Sequence, residues 1–244
     1  MTAIKYLYSL IIFLSLLKAQ SLLIPGPMEG EEIIDHFAYS LSYSEKHEQA
    51  VWITYVLTNK KLENKKVKRD GFEFVPDPVV KGGSATSEDF KNIKRKGIDR
   101  GHLVPAGDMR WSKIAMQESF YYSNISPQYA DFNRGIWKDL ENKVRDWVEQ
   151  YKAVQVVTGP VLTATYKHIG PNNVSIPEYF YKVLLIYSEA DTTGMGFIMP
   201  NQKSDFDIML YSVTIDSVEA FTGIDFFPSL PDKLEETVES MIIK

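Results

Sequence analysis

There is no cysteine anywhere in the 244 residues, so no disulfide and no thiolate-held zinc or iron–sulfur centre is open to this chain. Histidine is scarce: His36, His47, His102 and His168 are the full set. Positive charge is in deficit, with 27 Lys+Arg against 32 Asp+Glu and a formal net charge of −5. That excludes binding a polyanion through overall charge and demands a local basic surface for any such partner. Long apolar runs are missing too, except at the N-terminus, where Tyr6 to Leu17 follows a lone Lys5 and precedes the small Ala19. The run is short for a bilayer span and reads as the core of a signal peptide over residues 1–19. The expectation is a secreted or periplasmic mature protein with no stable membrane association. No internal repeat, low-complexity tract or Gly/Ser linker divides the remainder.

What is present is an ordinary globular composition, 44% hydrophobic and 24% charged, in a chain long enough for one sizeable core. Residues 20–35, with the Pro/Gly/acidic stretch PGPMEGEE, read as a flexible leader, and 36–244 as a single domain. β-branched and aromatic runs predict strands at 37–44, 50–58, 153–158, 179–188 and 194–199. Residues 59–98 form a polar, basic excursion punctuated by Gly and Pro, of a length that suits function better than architecture. Ile136, Leu140, Val144, Trp147, Val148 and Tyr151 fall at helical spacing and predict a helix over 134–151. Shorter helices are expected at 113–118, at 214–223 with a stop at Gly223, and after Pro231. Strands and helices interleave, so one mixed domain is expected.

The chemistry concentrates in GIDRGHLVPAGDMRW, residues 97–111. His102 can take a proton from water near neutrality. Arg100 offers a forked cation suited to a phosphate or carboxylate. Gly101 permits an unusual backbone conformation or a close approach to a ligand, and Asp99 could order Arg100 or the imidazole. The same four residues could equally form a buried salt-bridge network. Downstream come a short helical piece, the apolar FYYSNIS read as a second strand carrying Asn124, and then Asn133 at the start of the long helix. Asn133 is either a helix cap or an amide oxygen for a hard cation. Glu141 and Arg145 are spaced i,i+4, which an ordinary surface pair also satisfies. Basic residues cluster at 60–69 and 91–100, flanking the motif; each cluster is either a solvated loop or part of a cationic groove. Two sequons, NIS at 124–126 and NVS at 173–175, read as chance matches. Asp108 reads as part of a connecting loop.

The tetrad Asp99-Arg100-Gly101-His102, the stretch FYYSNISPQ at 120–128, and FNRGIWKDLE at 132–141 with Arg145 after it resemble the DNA/RNA non-specific endonucleases, the ββα-metal-finger nucleases with a DRGH signature. Weaker likeness extends over nearly the whole mature chain. The resemblance implies an α+β fold with a mainly antiparallel sheet and a ββα-metal finger, making 36–244 a single endonuclease domain. It implies His102 as general base, Asn133 as direct ligand of one hydrated Mg²⁺ (Mn²⁺ a substitute) and Glu141 as holder of that ion's waters. Asn124 would position His102 or the substrate, while Arg100 and Arg145, with Arg69, would grip the phosphate. Some relatives carry a second asparagine where this chain has Phe120, to which no role is assigned. DNA and RNA are the implied substrates, 5′-phosphate ends the implied product, and a homodimer is compatible. A catalytically silent nucleic-acid binder of the same fold, or a phosphodiesterase for small nucleotides, are the alternatives.

Overall fold

The computed structural model describes residues 24–26, 32–162, 167–187 and 192–242. The expected signal peptide lies outside them. Among the described residues no helix is long and apolar enough to cross a membrane.

Among the described residues eleven strands occur in chain order: β1 Glu32–Asp35, β2 Ser40–Ser44, β3 Gln49–Thr58, β4 Ile98–His102, β5 Ile125–Tyr129, β6 Ala153–Pro160, β7 His168–Ile169, β8 Val174–Ser175, β9 Tyr179–Tyr187, β10 Thr192–Pro200 and β11 Ser212–Val213. Six α-helices accompany them among these residues: α1 Asn59–Glu63, α2 Lys113–Glu118, α3 Ala130–Arg134, α4 Ile136–Tyr151, α5 Ile215–Thr222 and α6 Asp232–Glu239. Seven strands make one antiparallel sheet in the order β1-β2-β3-β6-β9-β10-β11, and β4-β5 and β7-β8 form separate two-stranded pairs. This is the α+β architecture with a large antiparallel sheet that the sequence led us to expect.

Alternation along the central strands divides the core in two. Val154, Val156, Leu184 and Ile186 join the larger apolar cluster, which includes the inner face of α4. Ala153, Val157, Val183 and Leu185 join a second cluster with Ile215 and Val218 of α5 and Val238 of α6. Both faces of the sheet are therefore covered, and every residue of β6 is buried. α4 buries Ile136, Trp137, Leu140, Val144, Trp147 and Val148. At about 1.5–3 kcal/mol for each large apolar side chain fully buried, that stripe fixes α4 on the sheet far more firmly than its exposed charges could.

Three expectations need correction. The stretch expected to be a flexible leader, 20–35, supplies β1, which pairs with β2 from Glu32↔Tyr43 to Asp35↔Ser40 and buries Ile34. The helix expected over 134–151 is broken: α3 ends at Arg134, and Gly135 adopts φ −101 and ψ −117 before α4 begins. A Cβ on Gly135 would lie 2.5 Å from the carbonyl oxygen of Asp131, so a residue with a side chain could not make that corner unchanged. Asn124 lies just before β5, in a single 3-10 turn at Tyr122–Asn124, rather than on the strand.

Candidate active site

β4 and β5 pair antiparallel with Gly101 opposite Ser126 and His102 opposite Ile125, and α3 follows β5 directly, its first amide donating to the Gly97 carbonyl at 2.8 Å. The reason for glycine at 101 is packing. A Cβ there would sit 2.1 Å from Gln128 Oε1 on the neighbouring strand. Neither positive φ nor a ligand's approach is needed to explain it.

Asp99 is the hinge between strand and helix. It accepts from Asn133 Nδ2 at 2.9 Å and from Arg134 Nε and Nη2 at 2.8 and 2.6 Å. Burial alone would raise its pKa, but the hydrogen bonds from Arg134 and Asn133 outweigh that and hold its carboxyl below the usual range. The consequence for Asn133 is orientation. An anionic acceptor fixes which end of the amide is nitrogen, and so turns Oδ1 the other way. Asn133 therefore does not cap α4; it closes α3 and presents an oxygen.

His102 and Arg100 alternate along β4 and share an aromatic wall. The His102 ring packs against Phe74 and, edge-on, against Phe120, with centroids 5.4 and 5.2 Å apart. Arg100 lies over Phe74 and Phe90 at 5.5 and 5.7 Å and donates from Nη2 to the Phe90 carbonyl at 3.3 Å, while its Nε is buried with no partner. Arg69 lies over the Phe120 ring at 5.6 Å. His102 Nε2 is buried and unpartnered. Burial first, and the charge of Arg69 second, push the imidazole down to about 3, so it is neutral at physiological pH. Phe74 and Phe120 were given no role from sequence, where nothing but their aromaticity marks them.

The loop that carries Arg69 and Phe74 is latched in place. Val75 bridges Tyr121, its amide donating to the Phe120 carbonyl and its carbonyl accepting from Tyr122 N. Asp77 accepts from Ser123 and pairs with His36 Nε2 at 2.8 Å. His36 thus has a structural role, while His168 is exposed.

Glu141 projects from α4 into a buried polar layer. Arg145 donates from Nε to Asp108 at 2.6 Å and from Nη1 to Asn142 at 2.8 Å, and its Nη2 lies 3.8 Å from Glu141. Asp108 also accepts from Tyr55 at 3.0 Å. Beneath them Lys182, 1% exposed, sits over Trp137 at 4.4 Å and donates to Thr158 at 3.1 Å. Burial raises the Glu141 carboxyl against the pull of Lys182 and Arg145, and burial lowers Lys182 against the pull of Glu141 and Asp108. Arg69 acts on Glu141 as well as on His102, which places loop, strand and helix in one electrostatic neighbourhood. Asp108 is therefore a buried ion-pair partner rather than loop filler. Lys182 had a signal in the sequence: a lone charge inside the apolar run YFYKVLLIY.

Two site expectations change. Asn124 is fully buried, its Oδ1 accepting from Val104 N and its Nδ2 donating to the carbonyls of Val104 and Ser119. It holds the chain as it leaves His102; it cannot reach a substrate, nor can it carry a glycan. Arg145 is committed to Asp108 and Asn142, a geometry that suits holding Glu141 better than clamping a phosphate.

Asn133 Oδ1 and the Glu141 carboxylate are hard oxygen donors, and their chemistry fits a hard divalent cation that keeps most of its own waters.

The sequence profile of the family described as DNA/RNA non-specific endonuclease matches residues 24–233. The chain is 33% identical over 220 residues to the mitochondrial nuclease EXOG of Xenopus laevis, a match covering 84% of this chain and 60% of that protein. It is 32% identical over 206 residues to human mitochondrial endonuclease G, covering 79% and 68%. It is 33% identical over 219 residues to nuclease C1 of Cunninghamella echinulata var. echinulata, covering 84% and 86%. Among solved structures, that of the EndoG/EndoGI complex, described as showing the mechanism of EndoG inhibition, superposes with a TM-score of 0.78 at 32% identity, over 86% of this chain and 90% of that one. The chain thus spans about 60% of the length of the EXOG relative. These names correct one expectation. EXOG, endonuclease G and nuclease 1 of Schizosaccharomyces pombe are all named mitochondrial, which overturns the secretory reading of residues 1–19. A short apolar run behind one lysine records polarity and length, not which membrane is its destination. Profile, relatives and fold agree, and the chain belongs to the DNA/RNA non-specific endonuclease family.

Proposed function

We propose that this protein is a Mg²⁺-dependent endonuclease that hydrolyses phosphodiester bonds of DNA and RNA without reading bases, and that like the relatives named above it works in mitochondria. The observation that carries the reading is His102, held neutral on a rigid aromatic wall with Arg69 and Arg100 beside it.

His102 Nε2 is closed off by its surroundings, so the attacking water meets the ring at Nδ1. Nδ1 takes the proton as the water oxygen bonds to phosphorus and the bond to the 3′ oxygen breaks, leaving a 5′-phosphate. Arg69, exposed, and the half-buried guanidinium of Arg100 bind the non-bridging oxygens. Asn133 Oδ1 would hold Mg²⁺ directly and Glu141 would hold its waters, with Mn²⁺ able to replace it. When bound, the ion supplies neutralising charge to the phosphate and the leaving oxygen. Asp99 aims Asn133, Arg145 aims Glu141, and Asn124 sets the chain after His102; these three position without touching substrate. Contacts of this kind fall on phosphate and sugar, which both polymers share.

The test is degradation of plasmid DNA and of RNA by the full chain, with Mg²⁺ or EDTA, beside His102→Ala. The expected outcome is loss of both activities in EDTA and a drop of at least about 100-fold for the variant. Cleavage that survives either treatment sinks the mechanism. Turnover of dinucleotides with neither polymer degraded favours a small-nucleotide phosphodiesterase instead.

A further inference from the structure

On the other face of the sheet, away from Asn133 and Glu141, Asp216 and Glu219 of α5 and Glu239 of α6 each direct a carboxylate oxygen to one point, all within 4.8 Å of one another. The first two are spaced i,i+3 and so share a face of α5. Glu239 is the unusual member. It is only 7% exposed, its Oε1 is buried, and that oxygen has no hydrogen-bond partner. The fold brings it there deliberately: a Cβ on Gly194 would lie 2.0 Å from the Val238 carbonyl, so β10 keeps a glycine where the last turn of α6 presses on it. Val238, Ile215 and Val218 are buried around the cluster. An unpartnered carboxylate oxygen among apolar neighbours and other acids is costly unless a cation or a proton meets it.

We propose that Asp216, Glu219 and Glu239 form a second cation site, for Ca²⁺, that staples α6 to α5. Three carboxylates from two helices form an irregular oxygen set, which Ca²⁺ accepts with water completing its shell, whereas Mg²⁺ asks for a near-ideal octahedron. Glu219 Oε1 accepts from Phe226 N at 2.9 Å, which leaves its second oxygen for the ion. Asp216 is exposed and gives the route of entry. The acids facing Glu239 are Glu219, Glu235, Asp216 and Asp225; after burial itself they are what raise its carboxyl to about 8.

Isothermal titration of the full chain with CaCl₂, paired with thermal unfolding, tests this. Asn133→Ala removes the direct ligand proposed at the other site and should still bind one Ca²⁺, with a midpoint rise of roughly 5 °C or more at 100-fold excess over Kd. Glu239→Gln should lose that equivalent, and the surface change Asp216→Asn should weaken it at least tenfold, both keeping wild-type nuclease rates. Absence of Ca²⁺ binding by Asn133→Ala overturns the proposal. So does unchanged binding by Asp216→Asn, which leaves the core untouched, or a Glu239→Gln protein that is simply more stable at every Ca²⁺ concentration, since a shared proton would then explain the cluster.

Discussion

His102 owes its neutrality to two causes of different origin, and substitution can separate them. Burial is the larger and belongs to Phe74, Phe120 and the strand pair; the charge of Arg69 is the smaller. Both disfavour the protonated ring, so the acid limb of kcat/KM lies below the ordinary histidine value of about 6.5. Arg69→Gln removes a positive charge, which makes protonation easier. The limb therefore moves to higher pH while staying below 6.5, because burial persists. At neutral pH kcat/KM falls roughly tenfold or more through the lost phosphate contact. A pH–rate profile of the two proteins separates the effects: a residue that only bound phosphate would lower the plateau and leave the limb where it is. Arg145 makes the contrast. It is already bound to Asp108 and Asn142, and its substitution is a change to Glu141's support.

The corner at Gly135 is what lets one stretch of chain face two ways. α3 is anchored through Asn133 and Arg134 to Asp99, while α4 is anchored by its apolar stripe to the sheet; a continuous helix could not satisfy both. Gly135→Ala brings a methyl within 2.5 Å of the Asp131 carbonyl unless the corner opens. The expected result is a stability loss of about 1–3 kcal/mol in urea unfolding. A kcat loss of about 100-fold should accompany it, because displacing a ligand by an ångström is enough for that. A variant that loses the stability but keeps kcat would show that the break serves packing alone. This corner also marks the limit of what the sequence discloses. The helical period over 136–151 and the DRGH tetrad are local patterns, legible without a fold. Gly135 falls inside the helix expected over 134–151, between Arg134 and Ile136, and the close carbonyl that requires it lies on the preceding turn, at Asp131. Asp108 looked like a loop residue because its partner Arg145 is 37 positions away. Arg69 entered only through the resemblance; its place beside His102 depends on a loop fixed by Asp77 with His36 and Ser123 and by Val75 with Tyr121, contacts across distant parts of the chain. The β1 strand was hidden by its neighbours: Pro and Gly at 25–30 gave the whole leader an irregular cast, yet Ile34 is buried.

At the scale of the molecule, the proposed polyanionic substrate has to be attracted locally by a protein whose net charge of −5 repels it overall. The two basic clusters seen in the sequence do not contribute equally. Lys61 is withdrawn: its Nζ donates to the Val56 carbonyl at 2.7 Å, it lies over Trp111, and burial lowers it to about 8. Lys91 is paired with Glu88 at 3.1 Å. Lys65, Lys66, Lys68 and Arg69 are exposed on the loop that leads to His102, and Lys94, Arg95 and Lys96 on the turn before β4. Each lysine that meets a phosphate releases counterions and adds about 0.9 to the slope of log K against log salt. The affinity of uncleaved duplex for the His102→Ala protein, titrated in KCl, should therefore fall steeply. The slope should lose about 2–3 when Lys65, Lys66 and Lys68 are changed to Gln. Changing Lys61 instead should leave the slope alone and lower stability, since it removes packing on Trp111 and no phosphate contact. If the triple variant keeps the wild-type slope, the loop is a solvated surface and the substrate path runs over the turn at 94–96. That would still leave an acidic protein with a basic entrance, at the turn before β4.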